Sequence, residues 1–428
     1  MKTRQDIKKV YDIIVIGGGA AGLMAAGQAA EKGASVLLLE KKKKTGLKLG
    51  ITGKGRCNLT NVAPVREFLS RFGRNGRFLW QTFSKFFSEE LILFLHSIEI
   101  KTHTERGGRV FPESEKAPLV ARKLIRWARS KGVELQCNTS VKSLMINNDQ
   151  ITGVVADMPE NREEIFSGSR VIVATGGASY PLTGSTGDGY KLAKAAGHTV
   201  TDIYPSLVPL ETSEKIPEGL AGLLLKNIEV KLWINGKKHA DAFGEMQFME
   251  FGVSGPVILS LSKMAVEAMN DQKPVHLTID LKPALSREKL DARLLRDLDR
   301  LGKSPFSMLL RGLLPGALQA YCLQQVGIAP QKTAGQVTAN DRKRLLNWLK
   351  EVKFSVSGYR PIEEAIITAG GIHLKEIDPN TLQSRIITGL YFAGEILDLD
   401  ADTGGYNLQA AFSTGWVAGN AAVSSLES

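Results

Sequence analysis

The run Gly17-Gly18-Gly19-Ala20-Ala21-Gly22 constrains this chain more than any other feature. Before it, Tyr11 to Ile16 reads as a short buried strand. After it, Ala20 to Lys32 reads as an Ala-rich helix stopped by Gly33, and Ala34 to Leu39 as a second strand ended by Glu40. This is one βαβ unit. Gly17, Gly19 and Gly22 form a G-x-G-x-x-G fingerprint. The first glycine permits the tight turn, the second lets backbone approach a pyrophosphate, and the third lets helix and strand pack closely. The phosphates then sit at the helix N-terminus. Glu40 lies 23 residues beyond Gly17 (40 − 17 = 23), where a carboxylate can bind ribose hydroxyls. An acid there disfavours a 2′-phosphate, so the resident dinucleotide is not NADP.

The stretch Ile13 to Ala30 is free of charge and follows basic residues, as a signal peptide or membrane helix would. Its glycines fit a strand, turn and helix instead, and we expect no membrane association. The 3 cysteines, Cys57, Cys137 and Cys322, lie far apart and form no disulfide framework, which points to a reducing cytoplasm.

A chain of 428 residues favours two or three domains. Trp80 to Ile100 carries amphipathic helix pattern, and Lys116 to Ser130 reads as a helix stopped by Gly132. Val133 to Leu135 and Val141 to Ile146 are strand-like, and Arg170 to Ala174 is a strong apolar strand. The texture changes after Pro205. Ile228 to Ile234 precedes Asn235-Gly236, a hairpin signal. Ser286 to Leu301 reads as a charged helix, and 305–353 is helical in pattern. Gly389 to Ala393 returns to the first type of strand. The expected fold class is α/β. A discontinuous Rossmann-type domain (1–205 and 357–428) carries an inserted substrate domain (206–356), β-rich and then helical over about 286–353.

The C-terminal region favours FAD over NAD. Leu390 to Glu395 resembles the strand and turn by which FAD-dependent two-dinucleotide-fold enzymes contact ribityl and phosphate groups, with Gly394 and Glu395 at the turn. Gly405, Asn407 and Leu408 open the last helix. Its N-terminal N–H groups would face the flavin edge that becomes negative on reduction. Thr175-Gly176 is a third return of the chain to the cofactor. We identify no second fingerprint for a nicotinamide nucleotide, so NAD(P)H, as reductant, would dock transiently.

Together with Lys48 to Thr52, the segment Gly53-Lys54-Gly55-Arg56-Cys57-Asn58-Leu59-Thr60-Asn61, Gly252 to Pro256, Thr368 to Gly371 and the run Gly389 to Gly415 resemble the BaiN/YhiN-like flavoprotein family over nearly the whole chain. The resemblance implies non-covalent FAD held by Gly17, Gly19, Ala20, Ala21, Gly22, Glu40, Lys41, Lys48, Gly53, Cys57, Asn58, Val141, Thr175, Gly176, Gly394, Glu395, Gly405, Asn407 and Leu408. It also implies reduction of activated C=C bonds, in bile-acid intermediates or in uridine of ribosomal RNA. Where many members carry Thr-His, this chain has Met249-Glu250-Phe251, so proton transfer by that histidine is in doubt unless Glu250 substitutes.

Cys57 is a candidate catalytic acid. Packing or backbone contact against the cofactor is the leading reading, and Arg56 beside it, which would lower its pKa, makes the acid the alternative. Cys137 and Cys322 read as buried apolar residues. The histidines do not cluster, and no metal is expected. Asp398, Asp400 and Asp402 read as loop hydrogen-bonding residues.

The formal net charge of +11 suits a polyanionic partner. Basic residues interleave with aromatics in Arg66 to Trp80, in Arg122 to Lys131 around Trp127, and in Arg342 to Lys350 around Trp348; Lys41 to Lys44 form a further basic run. Arg126, Arg129, Arg342 and Arg344 are the RNA-contact candidates. The leading expectation is an FAD-dependent reductase forming dihydrouridine in ribosomal RNA. Two others are a small-molecule ene-reductase or amine oxidase, and a non-catalytic flavin-bound RNA- or ribosome-associated module. The oligomeric state is not legible.

Overall fold

The computed structural model describes residues 10–426. The chain divides into two compact units, 1–205 with 365–428, and 206–364.

The first unit is built on a seven-stranded sheet. The first strand (Val10–Ile16) lies parallel between Val36–Glu40 and the long strand Arg162–Val173. Glu134–Cys137 extends the sheet beyond Val36–Glu40, again parallel. The far side of Arg162–Val173 is shared. Its first half pairs antiparallel with Gln150–Met158, and its last residues pair parallel with Leu390–Phe392. Ile13, Ile14 and Val15 are fully buried, as a strand covered on both faces requires.

The first helix (Ala20–Glu31) and the last helix (Tyr406–Ser424) cover one face. They approach through glycine. A Cβ on Gly415 would lie 2.3 Å from the Ala21 carbonyl oxygen, and one on Gly419 would lie 2.4 Å from that of Ala25. Only residues without a side chain allow backbones this close. The helix Ala117–Ser130 packs beside them, with the Trp127 ring against Gly27.

The second unit is a closed six-stranded antiparallel barrel. Its central hairpin joins Leu224–Ile234 to Lys237–Met249. Asn235 and Gly236 both have positive φ (51° and 72°), as a two-residue primed turn demands. The helices Pro256–Asn270, Arg287–Leu301, Gly316–Val326 and Ala339–Lys350 share the barrel's apolar core. Ser286 caps Arg287–Leu301 by accepting from Lys289 N–H.

Several expectations need correction. Trp80 to Ile100 is not one helix. Trp80–Phe83 and Ser88–Ser97 are separate, and Glu90 accepts from the Phe87 N–H to start the second. The strand Gln150–Met158 was not anticipated; it follows a turn with positive φ at Asn148 and Asp149. The strand Val352–Tyr359 pairs with Val275–Asp280 and Leu210–Thr212, so the second unit runs to 364 rather than 356, and the helical stretch ends at Lys350.

Candidate functional site

The site is assembled within the first unit from backbone turns. Gly17 has φ 101°, and a Cβ there would lie 2.6 Å from the Ala174 carbonyl oxygen. A Cβ on Gly22 would meet the Gly17 carbonyl oxygen at 1.9 Å. These two glycines are fixed by strand and helix packing. Gly19 differs: its Cβ direction is open, with nothing within 4 Å. It is the N-cap of the first helix, no side chain caps that end, and the first turn holds no acid. Ala20, Ala21 and Gly22 therefore present N–H groups at a positive helix end.

Glu40 ends the next strand. One carboxylate oxygen accepts from Gly18 N–H at 2.9 Å, and the other from Lys42 N–H at 2.8 Å. Burial raises its pKa, and those two amides oppose the shift. Thr139 N–H donates to the Glu40 carbonyl at 3.0 Å, which brings Val141, two residues on, to the same sheet end. Lys41 pairs with Asp188 and hydrogen-bonds Thr186, tying the 184–188 turn to this edge.

A second group surrounds the end of Leu390–Phe392. Gly394 (φ 81°) donates its N–H to Thr414 Oγ1 at 2.9 Å, and its Cβ direction points at Ala21. Glu395 accepts from Lys48 Nζ at 2.6 Å, from Thr368 N–H at 2.9 Å and from Ser179 Oγ at 3.2 Å. Thr368 Oγ1 in turn accepts from the N–H groups of Ala178 and Ser179, shaping the turn after Thr175 and Gly176. Sequence reading did not single out Ser179 and Thr368 as site residues. Their partners lie far away in the chain; Thr368 stands in a segment that carries the family resemblance, whereas no local signal marks Ser179. The Thr175 Oγ1 is buried and without a partner among the described residues.

The third group joins the Gly53 to Asn61 loop to the last helix. Gly53, Lys54 and Cys57 have positive φ (58°, 56° and 67°), so this loop bends sharply twice. Asn58, with its amide turned to satisfy both ends, accepts from Gly405 N–H at 3.0 Å and donates to the Thr60 carbonyl at 3.2 Å. Asn61 donates to the carbonyls of Gly404 and Gly107 at 3.1 and 3.0 Å. A Cβ on Gly405 would lie 2.3 Å from the Thr60 carbonyl oxygen. Asn407 faces the other way. It bonds both the N–H and the carbonyl of Ala401, holding the aspartate-bearing loop. Leu408 packs against the core.

Cys57 corrects the expectation drawn from Arg56. The thiol is fully buried, and burial pushes its pKa up to about 12. Arg56 turns away from it, donating to Glu105 and Glu115 and lying 4.2 Å from the Phe111 ring centre. Its guanidinium holds both carboxyls below their usual range. His103 joins these acids to form a group whose ligand atoms lie within 4.8 Å of one another, which the sequence did not reveal. Arg56 already occupies the acids, so the group reads as a salt-bridge cluster. Cys322 is buried as expected, whereas Cys137 is only partly buried.

The basic clusters fare unequally. Arg126 and Arg129 are exposed, and neither has a carboxylate partner among the described residues. Arg342 and Arg344, in the second unit, pair with Asp291 and Asp341 at 2.8 and 2.6 Å. Trp127 is 7% exposed and offers no free ring, and Trp348 is half-buried with Tyr321 on one side. Glu250 is exposed at the turn between Lys237–Met249 and Gly252–Ser254.

No helix among the described residues is long and apolar enough to cross a membrane. The family described as HI0933-like protein Rossmann domain matches residues 11–421. The chain is 31% identical over 377 residues to the 3-dehydro-bile acid delta(4,6)-reductase of Clostridium scindens, covering 88% of this chain and 90% of that one. It is 29% identical over 379 residues to the ribosomal RNA dihydrouridine synthase of Haemophilus influenzae, covering 87% and 88%. In fold it is similar to 3-ketosteroid delta1-dehydrogenase from Sterolibacterium denitrificans, with a TM-score of 0.56, 15% identity and coverage of 97% and 100%. The chain thus belongs to the HI0933-like family, a family of FAD-dependent oxidoreductases.

Proposed function

We propose that the protein reduces a C=C bond conjugated to a carbonyl, and that its substrate is uracil in ribosomal RNA, giving dihydrouridine. The observation that carries the cofactor part is the open Cβ direction of Gly19 at an uncapped helix N-terminus. There the N–H groups of Ala20, Ala21 and Gly22 would hold the pyrophosphate. Glu40 would take the ribose, with Lys41 and Val141 beside it. Lys48 holds Glu395 in place next to Gly394, and Thr175 Oγ1 supplies an unused polar atom. The loop through Gly53, Cys57 and Asn58 would shape the space before Gly405, Asn407 and Leu408, whose helix end favours negative charge. Once bound and reduced, FAD supplies the hydride for the β carbon.

We assign Cys57 to packing, because a buried thiol with a pKa near 12 is a poor proton donor at neutral pH. NAD(P)H is the proposed transient reductant.

The RNA substrate is supported by the +11 charge and by the names of relatives. Mass spectrometry of ribosomal RNA from a deletion strain tests it: one dihydrouridine should disappear and return when purified protein, FAD and NAD(P)H are added. An unchanged dihydrouridine content would transfer the assignment to a small-molecule enone, the reading favoured by the bile-acid relative. Turnover of a steroid enone by the purified protein would then be expected.

A further inference from the structure

The first unit carries, among its described residues, an open groove whose chemistry the site above does not use. It has a volume of about 480 Å³ and is lined by Val62, Pro64, Trp80, Phe83, Phe87 and Glu89, among others. That volume falls in the range of small-ligand sites. Trp80 is 44% exposed at its edge, and the Phe83 and Phe87 rings lie 5.0 Å apart. Arg66, Arg74 and Arg77 are exposed along the same stretch of chain. None of the three has a carboxylate partner among the described residues, whereas Arg71 between them is paired with Glu67 and Asp402. Val62 directly follows Asn61, whose amide holds Gly404 at the start of the last helix. The groove therefore begins one residue from the loop of the proposed flavin site.

We propose that this groove seats an unpaired base of a single-stranded RNA segment, stacked on Trp80, with Arg66, Arg74 and Arg77 bound to the neighbouring phosphates. The proposal rests on the RNA reading above. An exposed indole on a stretch of chain that also carries uncompensated arginines suits a single strand, since every unstacked base offers a π-face and every linkage a charge; the charged residues lining the groove itself are Glu89 and Glu90. A duplex keeps its bases stacked and offers no such face. The other basic clusters offer less aromatic surface: Trp127 is buried against Gly27, and Trp348 is half-buried with Tyr321 on one side. Glu89 is exposed in the groove lining and can accept from base N–H groups, while the Glu90 carboxylate already accepts from Phe87 N–H.

The test is fluorescence anisotropy of a labelled oligouridylate of about 12 nucleotides, single-stranded or annealed to its complement, titrated with the full chain. Trp80→Ala should weaken single-strand binding about 5- to 140-fold, and Trp80→Phe should restore most of it. Arg74→Glu with Arg77→Glu should lower the salt slope by about 1.4, two phosphates at about 0.7 each. Flavin content and melting temperature should stay at wild-type values, so that loss of fold is seen separately. If the wild type shows no salt-sensitive RNA binding, both this site and the RNA reading fall. If it binds but these variants bind equally well, or only Arg126→Glu weakens binding, the groove is overturned and the RNA reading survives. If Trp80→Ala changes the oligomeric state instead, the patch is a protein contact and the proposal is wrong.

Discussion

Gly19→Asp separates the fold from the cofactor, because the two should move in opposite directions. Gly19 has φ −80° and ψ −168°, which any L-residue adopts, and its Cβ would meet nothing within 4 Å. The position is an N-cap without a side-chain bond, and no acid stands in the first turn. Aspartate is a favoured N-cap and complements the helix dipole. The cofactor-free protein should therefore be unchanged or gain up to about 1 kcal/mol. For bound FAD the same carboxylate would sit beside the pyrophosphate. Two like charges about 4 Å apart repel by about 1 kcal/mol in water and about 4 kcal/mol at an effective permittivity of 20. The dissociation constant for FAD should rise about 5- to 1000-fold. Thermal melts of the apoprotein and a flavin-fluorescence titration measure the two halves. Wild-type FAD affinity in Gly19→Asp would refute the placement of the pyrophosphate. Loss of more than about 2 kcal/mol in the apoprotein would show that the open space is not open. Gly22→Ala is the contrast: with a Cβ 1.9 Å from a carbonyl oxygen it should not fold at all.

Gly415→Val should cost about 1–3 kcal/mol or more, read as a lower melting temperature, because its side chain would push the last helix off Ala21. Alkylation at pH 8 should modify only Cys137 of the 3 cysteines until the chain unfolds, since Cys57 and Cys322 are buried with pKa values raised to about 12; reaction of a second thiol in the native protein would contradict this. The same two thiols stay neutral while their unfolded counterparts ionise, so their contribution to stability is present below pH 9 and is lost as pH rises toward 12. Burial lowers the pKa of His198, against the pull of Glu376 at 3.0 Å, so its contribution is present above pH 6.5 and lost as pH falls; His198→Gln should flatten the stability profile just below that pH. Ser384 Oγ lies 2.8 Å from His198 Nε2, but the histidine side chain is fully buried, so this Ser–His–Glu line should show no esterase activity.

What the sequence made legible follows from what the site is made of. Gly17, Gly22, Gly394 and Gly405 are each required by a backbone that comes within 3 Å of their missing Cβ, or by a positive φ. Such demands leave glycine patterns that can be read locally. The strand before Gly17 and the hairpin at Asn235-Gly236 were readable for the same reason: period and turn chemistry are properties of neighbours in the chain. Ser179 was not readable and Thr368 only as part of a resembling segment, because what makes them matter is Glu395 and Lys48, which the fold brings in from far along the chain. The effect of Arg56 on the Cys57 thiol was misread on the same grounds. Adjacency in sequence put a cation beside it, yet Arg56 has its guanidinium on Glu105 and Glu115 while the thiol lies in the core. Basic clusters are the hardest case. Arg66 to Trp80, Arg122 to Lys131 and Arg342 to Lys350 share one composition, and burial distinguishes them: it leaves the indole exposed in the first, takes it away in the second and covers it in part in the third. A cofactor site built from backbone is therefore written in the glycines, whereas a substrate surface built from side chains is decided by which of them the fold leaves uncovered.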